Sequence, residues 1–366
     1  MNPTQELHEL GQSLWLDNIT RGILDDGTLK RYINDDSVTG LTSNPTIFDH
    51  AIAGGDDYDE QIAHVAVLGK SGEDAFFELA MQDLTRAADL FQKIHRKTQG
   101  VDGWVSLELS PLLADDTQGS IDAAKRLHAQ ARRENLFIKI PGTPAGVPAI
   151  EESIFNGVPI NVTLLFSREQ YLAAANAYMR GIERRIEAGL DPKIGSVASL
   201  FVSRWDVAVK DKVPEELRNR LGIAIAQHTY KAYCELLESD RWKKLEAAGA
   251  LPQRMLWAST GTKDPKASDT LYIEALAAPA TINTMPDKTL VAFAEHGRVG
   301  QPMREDGGDC EQVIARFKQA GIDDAQLGEQ LQREGKESFD KSWSELLKRI
   351  ADKAAKVTGG RSARQS

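Results

Sequence analysis

The sequence predicts an α/β protein, a (β/α)8 barrel with additional helices, and three observations predict it. Short β-rich runs, each ending in a polar or Gly/Pro-containing turn, alternate with longer segments of helical periodicity. Eight such runs occur, the number expected of a barrel in which every strand is followed by a helix. No GxGxxG is present, which weighs against an open doubly wound sheet of about five to seven strands with a Gly-rich first turn. GKS at Gly69 lacks the glycine five residues earlier that a phosphate-binding loop requires.

In chain order the strands are read as SLWLDNI (13–19), VTGLTSN (38–44), GWVSLEL (103–109) and LFIKI (136–140), then PINVTLL (159–165), KIGSVASLF (193–201), RMLWAS (254–259) and ATINT (280–284). Between them lie helical patterns such as SIDAAKRLHAQARREN, apolar at Ile121, Ala124, Leu127 and Ala131. A barrel needs about 250 residues, and the chain has 366. The surplus falls between strands two and three, around 205–253, and after about 298. Residues 1–300 are read as the catalytic barrel and 301–366 as a C-terminal helical extension packed on it. The extension carries an amphipathic helix with Phe339, Trp343, Leu346, Leu347 and Ile350 on one face. That face is expected to pack on the barrel exterior, with a lid or dimer contact as the alternative. The last residues, GGRSARQS, have nothing to bury and are read as frayed.

Composition narrows the class. An apolar share of 41% is normal for a globular protein, and no apolar run reaches the roughly 18 residues of a membrane span. MNPTQELHEL has neither the basic start nor the apolar stretch of a secretory signal. The two cysteines, Cys234 and Cys310, are far apart and without metal-type spacing, so a reducing, cytoplasmic setting is expected. A net charge of -10 argues against nucleic acid or an anionic membrane as partner. It leaves room for a small phosphorylated ligand, which needs only a few local cations. The seven histidines show no HxH or HExxH spacing, so no metal site is expected.

Barrel strands alternate inward and outward, so polar residues spaced by two near strand ends converge on one mouth. Asp17, Thr42 with Asn44, Ser106 with Glu108, Lys139, Asn161 with Thr163, Ser199 and Ser259 all fall there. Burying such groups costs several kcal/mol unless they pair, roughly, which packing alone does not explain. Lys139 is the most informative, because NLFI and IPG flank it in a segment buried on both faces. Two readings stand. It is a buried ion-pair partner of one carboxylate, or a desolvated amine with enough neutral nitrogen to attack a carbonyl and form a Schiff base. Asp17 could then take and return a hydroxyl proton, and Glu108 could hold a proton-shuttling water. Arg204 in SLFVSRWD and Lys263 in ASTGTKDP follow strands six and seven. With Ser259 they suit a phosphate, since loops after late barrel strands commonly bind one.

These residues resemble a known family. LTSNPTIF, VSLELSP, LFIKIPGT, INVTLLF, SVASLFVSRWD and MLWAST look like the successive strand-end motifs of transaldolases, in that family's order, over about residues 13–285. The length and the WLDNI opening look most like its longer bacterial branch. The resemblance implies a class I aldolase-type barrel without cofactor. It implies transfer of a dihydroxyacetone unit from sedoheptulose 7-phosphate or fructose 6-phosphate to glyceraldehyde 3-phosphate or erythrose 4-phosphate, in the pentose phosphate pathway. By the same resemblance Lys139 matches the Schiff-base lysine, Asp17 the acid/base aspartate, and Glu108 with Thr163 the pair positioning a catalytic water. Asn44 and Asn161 match asparagines that hold the substrate hydroxyls, Ser199 and Phe201 the sugar-binding strand end, and Arg204 and Ser259 the phosphate site. Many members place a second arginine two residues after that serine; here the position is Gly261, and Lys263 is the nearest cation.

Two alternatives remain compatible with the sequence. One is a fructose 6-phosphate or deoxyribose-phosphate type aldolase, which releases its product instead of transferring it; the short aldolase branch tends to have tyrosine at the position of Phe201. The other is a non-catalytic sugar-phosphate-binding barrel, whose signature would be loss of the lysine or the acids. The expected partners are small-molecule sugar phosphates, and the chain is expected to act as a monomer or homodimer.

Overall fold

The computed structural model describes residues 2–362. Eight parallel strands close into a barrel in sequence order. They are β1 (Ser13–Asp17), β2 (Val38–Thr42), β3 (Val105–Glu108), β4 (Leu136–Pro141), β5 (Ile160–Leu165), β6 (Ser196–Phe201), β7 (Arg254–Ala258) and β8 (Ile282–Met285). The fold is therefore the (β/α)8 barrel that the alternation predicts. Most strands are shorter than the β-rich runs, and capping explains two of the differences. Asn44, expected at the end of strand two, instead accepts from Ile47 N at 3.0 Å and caps the helix Pro45–Ala53. Thr20 likewise caps the helix Arg21–Asp25 just beyond β1. A short polar side chain that satisfies a helix N–H starts the next helix and ends the strand.

The barrel interior is filled by large side chains, among them Trp15, Phe137, Val197, Leu256 and Ile282. Trp15 needs the space left by Gly40 on the neighbouring strand, where a Cβ would lie 2.5 Å from Trp15 Nε1. Below them a polar network closes the N-terminal end: Arg254 donates to Ser13 Oγ at 2.7 Å and to Thr281 O at 2.9 Å, and Trp15 Nε1 donates to Asp102 at 2.8 Å. With that end plugged, the C-terminal mouth is the way into the barrel interior.

The surplus segments are helical. Pro45–Ala53, Asp59–Val67 and the long Gly72–Lys97 lie between β2 and β3, while Ser203–Val209, Leu221–Glu238 and Asp240–Ala247 lie between β6 and β7. After β8 come Asp287–His296, Cys310–Gln319 and the C-terminal helix Asp324–Ser362. No helix among the described residues is long and apolar enough to cross a membrane. The C-terminal helix differs in part from expectation. Its later turns pack on the exterior helices Pro45–Ala53, Asp59–Val67 and Gly72–Lys97, with Trp343 edge-on to Phe76 at 4.7 Å between centroids. Its earlier turns cross the barrel mouth, and Phe339 faces a cavity there. Amphipathic spacing shows that a face is buried, and it cannot say against what. The expected frayed end was GGRSARQS: the helix continues through Ser362, and 363–366 lie outside the described residues.

One buried carboxylate ties the β6–β7 insertion to the helix Leu271–Ala275 that follows β7. Asp206 accepts from Leu221 N at 2.9 Å, from Gly222 N at 3.3 Å and from Tyr272 Oη at 2.8 Å. Burial nevertheless pushes its pKa up to about 6. Between the unfolded aspartate's pKa of about 3.9 and that value, the folded chain binds more protons than the unfolded one. This contribution to stability is therefore complete below about pH 4 and is lost as pH rises through 6. Relative to Asp206→Asn, the wild type is expected to lose about 1–3 kcal/mol between pH 4 and pH 7. Denaturant melts of both proteins at several pH values check this; a stability difference that stays constant with pH would rule it out.

Candidate active site

Strand register brings the polar positions into one layer. Glu108 pairs with Lys139 and Lys139 with Asn161 across β3, β4 and β5, and Pro141 pairs with Thr163. Registered neighbours in a parallel sheet point the same way, so Glu108 and Lys139 both project inward from adjacent strands. Lys139 Nζ donates to Glu108 Oε2 at 2.8 Å and to Ser43 O at 3.0 Å. The two side chains are only 6% and 8% exposed. The amine thus contacts the carboxylate directly, the ion-pair geometry that was one of the two readings of Lys139.

Above this pair lies a cavity of about 240 Å³, whose walls include Lys139, Asp17, Thr163, Ser199, Phe201 and Arg204. Asp17 enters from β1, opposite Lys139, and accepts from Thr42 Oγ1 at 2.8 Å. Thr42 also contacts Thr284 Oγ1 of β8 at 2.6 Å. Burial pushes the Asp17 carboxyl above the usual carboxylate range, while Lys139, the Thr42 hydroxyl and Lys263 pull it back. Burial likewise raises the Glu108 carboxyl, against the pull of Lys139. Both acids are therefore easier to protonate than surface carboxylates, with an amine at hand. Thr163 Oγ1 is buried and has no hydrogen-bond partner among the described residues, leaving a hydroxyl on the same cavity wall as Lys139 free for a ligand or a water.

The other expected residues divide by depth. Ser199 and Asn44 line the cavity. Asn161 is fully buried and is not part of its wall. It accepts from Ser199 Oγ at 2.7 Å and donates to Ser106 Oγ at 3.1 Å. It sits beneath the floor because it lies two residues before Thr163 on the same inward face of β5. Arg204, Ser259 and Lys263 lie on the far wall, shared with a second cleft of about 720 Å³. Ser259 has φ +56°, a conformation uncommon for a residue with a side chain, and its Oγ is 2.8 Å from Ser203 Oγ. A Cβ on Gly261 would lie 3.8 Å from Lys263 Nζ, so the lysine ammonium reaches the vicinity of that position. Burial works against the charge of Arg204, and Glu108 and Glu334 favour it.

Sequence reasoning did not identify Thr46, Ile47 and His50 of the helix after β2, Thr284 of β8, or Phe339 as walls of this cavity. The helix residues follow directly on Asn44 and could have been inferred from the NPT turn. Thr284 was readable as an inward polar residue at the end of strand eight. For Phe339 the available signal was the pair Gly328 and Gly335 inside a helix, since glycine there marks close approach to something.

Fold and site together define a class: a parallel (β/α)8 barrel plugged at one end, with a single buried lysine among carboxylates, hydroxyls and an arginine at the other. The family model described as transaldolase/fructose-6-phosphate aldolase matches residues 14–350. A protein of Arthrobacter sp. (strain FB24) named transaldolase is 43% identical over 354 residues, 94% of this chain and 95% of that one. A transaldolase of Saccharopolyspora erythraea is 44% identical, covering 95% of this chain and 96% of its own. One of Thermobifida fusca is 43% identical over 98% of this chain and all of its own. The chain belongs to the transaldolase/fructose-6-phosphate aldolase family.

Proposed function

We propose that the protein is a transaldolase, a transferase that moves a dihydroxyacetone unit between sugar phosphates through an imine on Lys139. Sedoheptulose 7-phosphate and glyceraldehyde 3-phosphate become erythrose 4-phosphate and fructose 6-phosphate, within the pentose phosphate pathway. The observation that carries the residue assignment is the Lys139–Glu108 pair, 2.8 Å long and buried, directly below a cavity. A carboxyl raised by burial is a ready acceptor for the proton that the lysine must lose before it attacks. The neutral amine adds to the C2 carbonyl of the ketose, and water leaves as the iminium forms. Asp17 then takes the proton of the C4 hydroxyl while the C3–C4 bond breaks. Its electron pair moves into the iminium, leaving an enamine, and the aldose departs. The enamine carbon attacks the acceptor aldehyde, Asp17 returns its proton to the new alkoxide, and water hydrolyses the imine.

Thr163 with Glu108 positions that water, Asn44 and Ser199 meet the hydroxyls, and Asn161 holds Ser199 in place from below. Arg204, Ser259 and Lys263 hold the phosphate. Lys263 takes the part of the second arginine that related chains place at the position of Gly261. The enzyme works in the cytoplasm on free sugar phosphates, without cofactor or metal, as a monomer or homodimer. Its acidic surface, net -10, repels nucleic acid, so substrate attraction comes from the few cations at the mouth.

Borohydride added with fructose 6-phosphate is expected to modify Lys139 covalently, read by intact mass and peptide mapping. Turnover of fructose 6-phosphate is expected to need erythrose 4-phosphate as acceptor. Equal donor cleavage with and without the acceptor would instead identify an aldolase of the same family.

A further inference from the structure

No hydrogen bond or ion pair fixes the Arg204 guanidinium among the described residues. Two rings hold it instead: Phe201 at the end of β6, 5.2 Å from centroid to Cζ, and Phe339 of the C-terminal helix at 6.0 Å. A guanidinium held by ring faces keeps its N–H groups available for an anion, whereas a carboxylate partner would occupy and neutralise them. Phe201 belongs to the barrel. Phe339 comes from a segment more than 130 residues away in the chain.

The C-terminal helix is shaped for this approach. Gly328, Gln332, Gly335 and Phe339 follow one another at i, i+4, i+7 and i+11 along a single stripe. A Cβ on Gly328 would stand 3.3 Å from Trp205 Cη2. One on Gly335 would stand 3.0 Å from Leu164 Cδ2 and 3.3 Å from Arg204 Nη1. Between the two glycines, Gln332 Nε2 donates to Gly142 O at 3.1 Å and to Leu164 O at 2.9 Å, the backbone just beyond β4 and late in β5. Glycine weakens a helix interior relative to alanine, so two on the face that meets the mouth answer a steric need.

We propose that Gly335 and Phe339 are positioning residues for the phosphate-binding arginine, so that the C-terminal helix completes the phosphate subsite by holding Arg204 against Phe201. This rests on the functional reading above for the role of Arg204. Without Phe339 the guanidinium gains rotamer freedom. With a methyl at Gly335 either Arg204 or the helix must shift. Both changes penalise ligands that carry a phosphate and spare those that do not.

The test compares wild type, Phe339→Leu, Phe339→Tyr and Gly335→Ala. Efficiency with fructose 6-phosphate is measured with saturating erythrose 4-phosphate, beside the rate at which borohydride traps unphosphorylated dihydroxyacetone on Lys139. The ratio of the two is expected to fall about 3- to 30-fold in Phe339→Leu and Gly335→Ala, mainly through KM, as loss of a partly desolvated cation–π contact predicts. Phe339→Tyr keeps the ring and is expected to stay within about 2-fold of wild type. An unchanged ratio, or an equal loss on both substrates, overturns the proposal. Should Phe339→Leu fail to fold, Gly335→Ala decides alone, because alanine favours a helix interior.

Calorimetric titration with inorganic phosphate reads the subsite without turnover. Weaker phosphate binding by the variants beside a wild type inactive on fructose 6-phosphate would refute the functional reading and support this one. Phosphate affinity that is equal in wild type and variants, or absent from the wild type, would overturn it.

Discussion

Lys139→Met is expected to lower transfer activity by about 10⁴-fold or more and to abolish borohydride trapping, while the barrel stays folded. The size follows from the absence of a substitute: among the described residues the one other lysine lining the inner cavity is Lys263, which stands on its far wall with Arg204 and Ser259. The stability of this variant has its own signature. Glu108 loses the partner at 2.8 Å and remains buried, and a buried charge left unpaired costs about 3–5 kcal/mol unless it is neutralised. The carboxyl is therefore driven to hold its proton. The variant is expected to be less stable than wild type at pH 8 and to recover part of the difference towards pH 5. Adding Glu108→Gln should restore most of the loss, because replacing both partners of a buried pair removes the uncompensated charge. Activity of the single variant above about one per cent of wild type would refute the imine on this residue.

Asp17→Asn is expected to cut turnover about 10²- to 10⁴-fold, the usual contribution of a positioned acid–base group, and at the same time to raise thermal stability. Burial holds the Asp17 carboxyl above its ordinary range, so at neutral pH its charge is carried at a cost in the folded state. A folded-state pKa raised above the unfolded one adds stability below the unfolded value and loses it as pH rises through the folded value. Asparagine removes that loss and still offers an oxygen to the Thr42 hydroxyl, which donates to Asp17 at 2.8 Å. Steady-state transfer assays and thermal melts at pH 7 check both halves. A variant that melts lower than wild type and keeps full activity would contradict the acid–base role and the strain together.

The legible part of the site was the part written on strands. A strand shows its inward face as every second residue, so Asp17, Glu108, Lys139, Thr163 and Ser199 could be read as convergent from spacing alone. The same spacing could not give depth. Asn161 and Thr163 are both inward on β5, and only the closed barrel puts one below the floor and the other beside the cavity. Nor could it distinguish a water-bridged Glu108 from one in direct contact with Lys139, since that depends on the β3–β4 register. Arg204 and Lys263 were readable as cations after late strands, but their sharing of one wall with Ser259 depends on how two loops fold.

The C-terminal helix marks the limit most clearly. Its apolar residues Phe339, Trp343, Leu346 and Ile350 announced a buried face, and a helical period states only that such a face exists. Which surface covers it is a long-range matter. Trp343 meets Phe76 on the outer helices, whereas Phe339, one turn earlier, meets Arg204 at the mouth. By itself the sequence determined the barrel, its inward polar layer and the lysine at its centre, because these follow from local alternation and from the cost of burying charge. Tertiary structure alone decided the depth of each group, the partner of the amine and the placement of the helix over the mouth, because contacts between segments distant in the chain leave no period in either one.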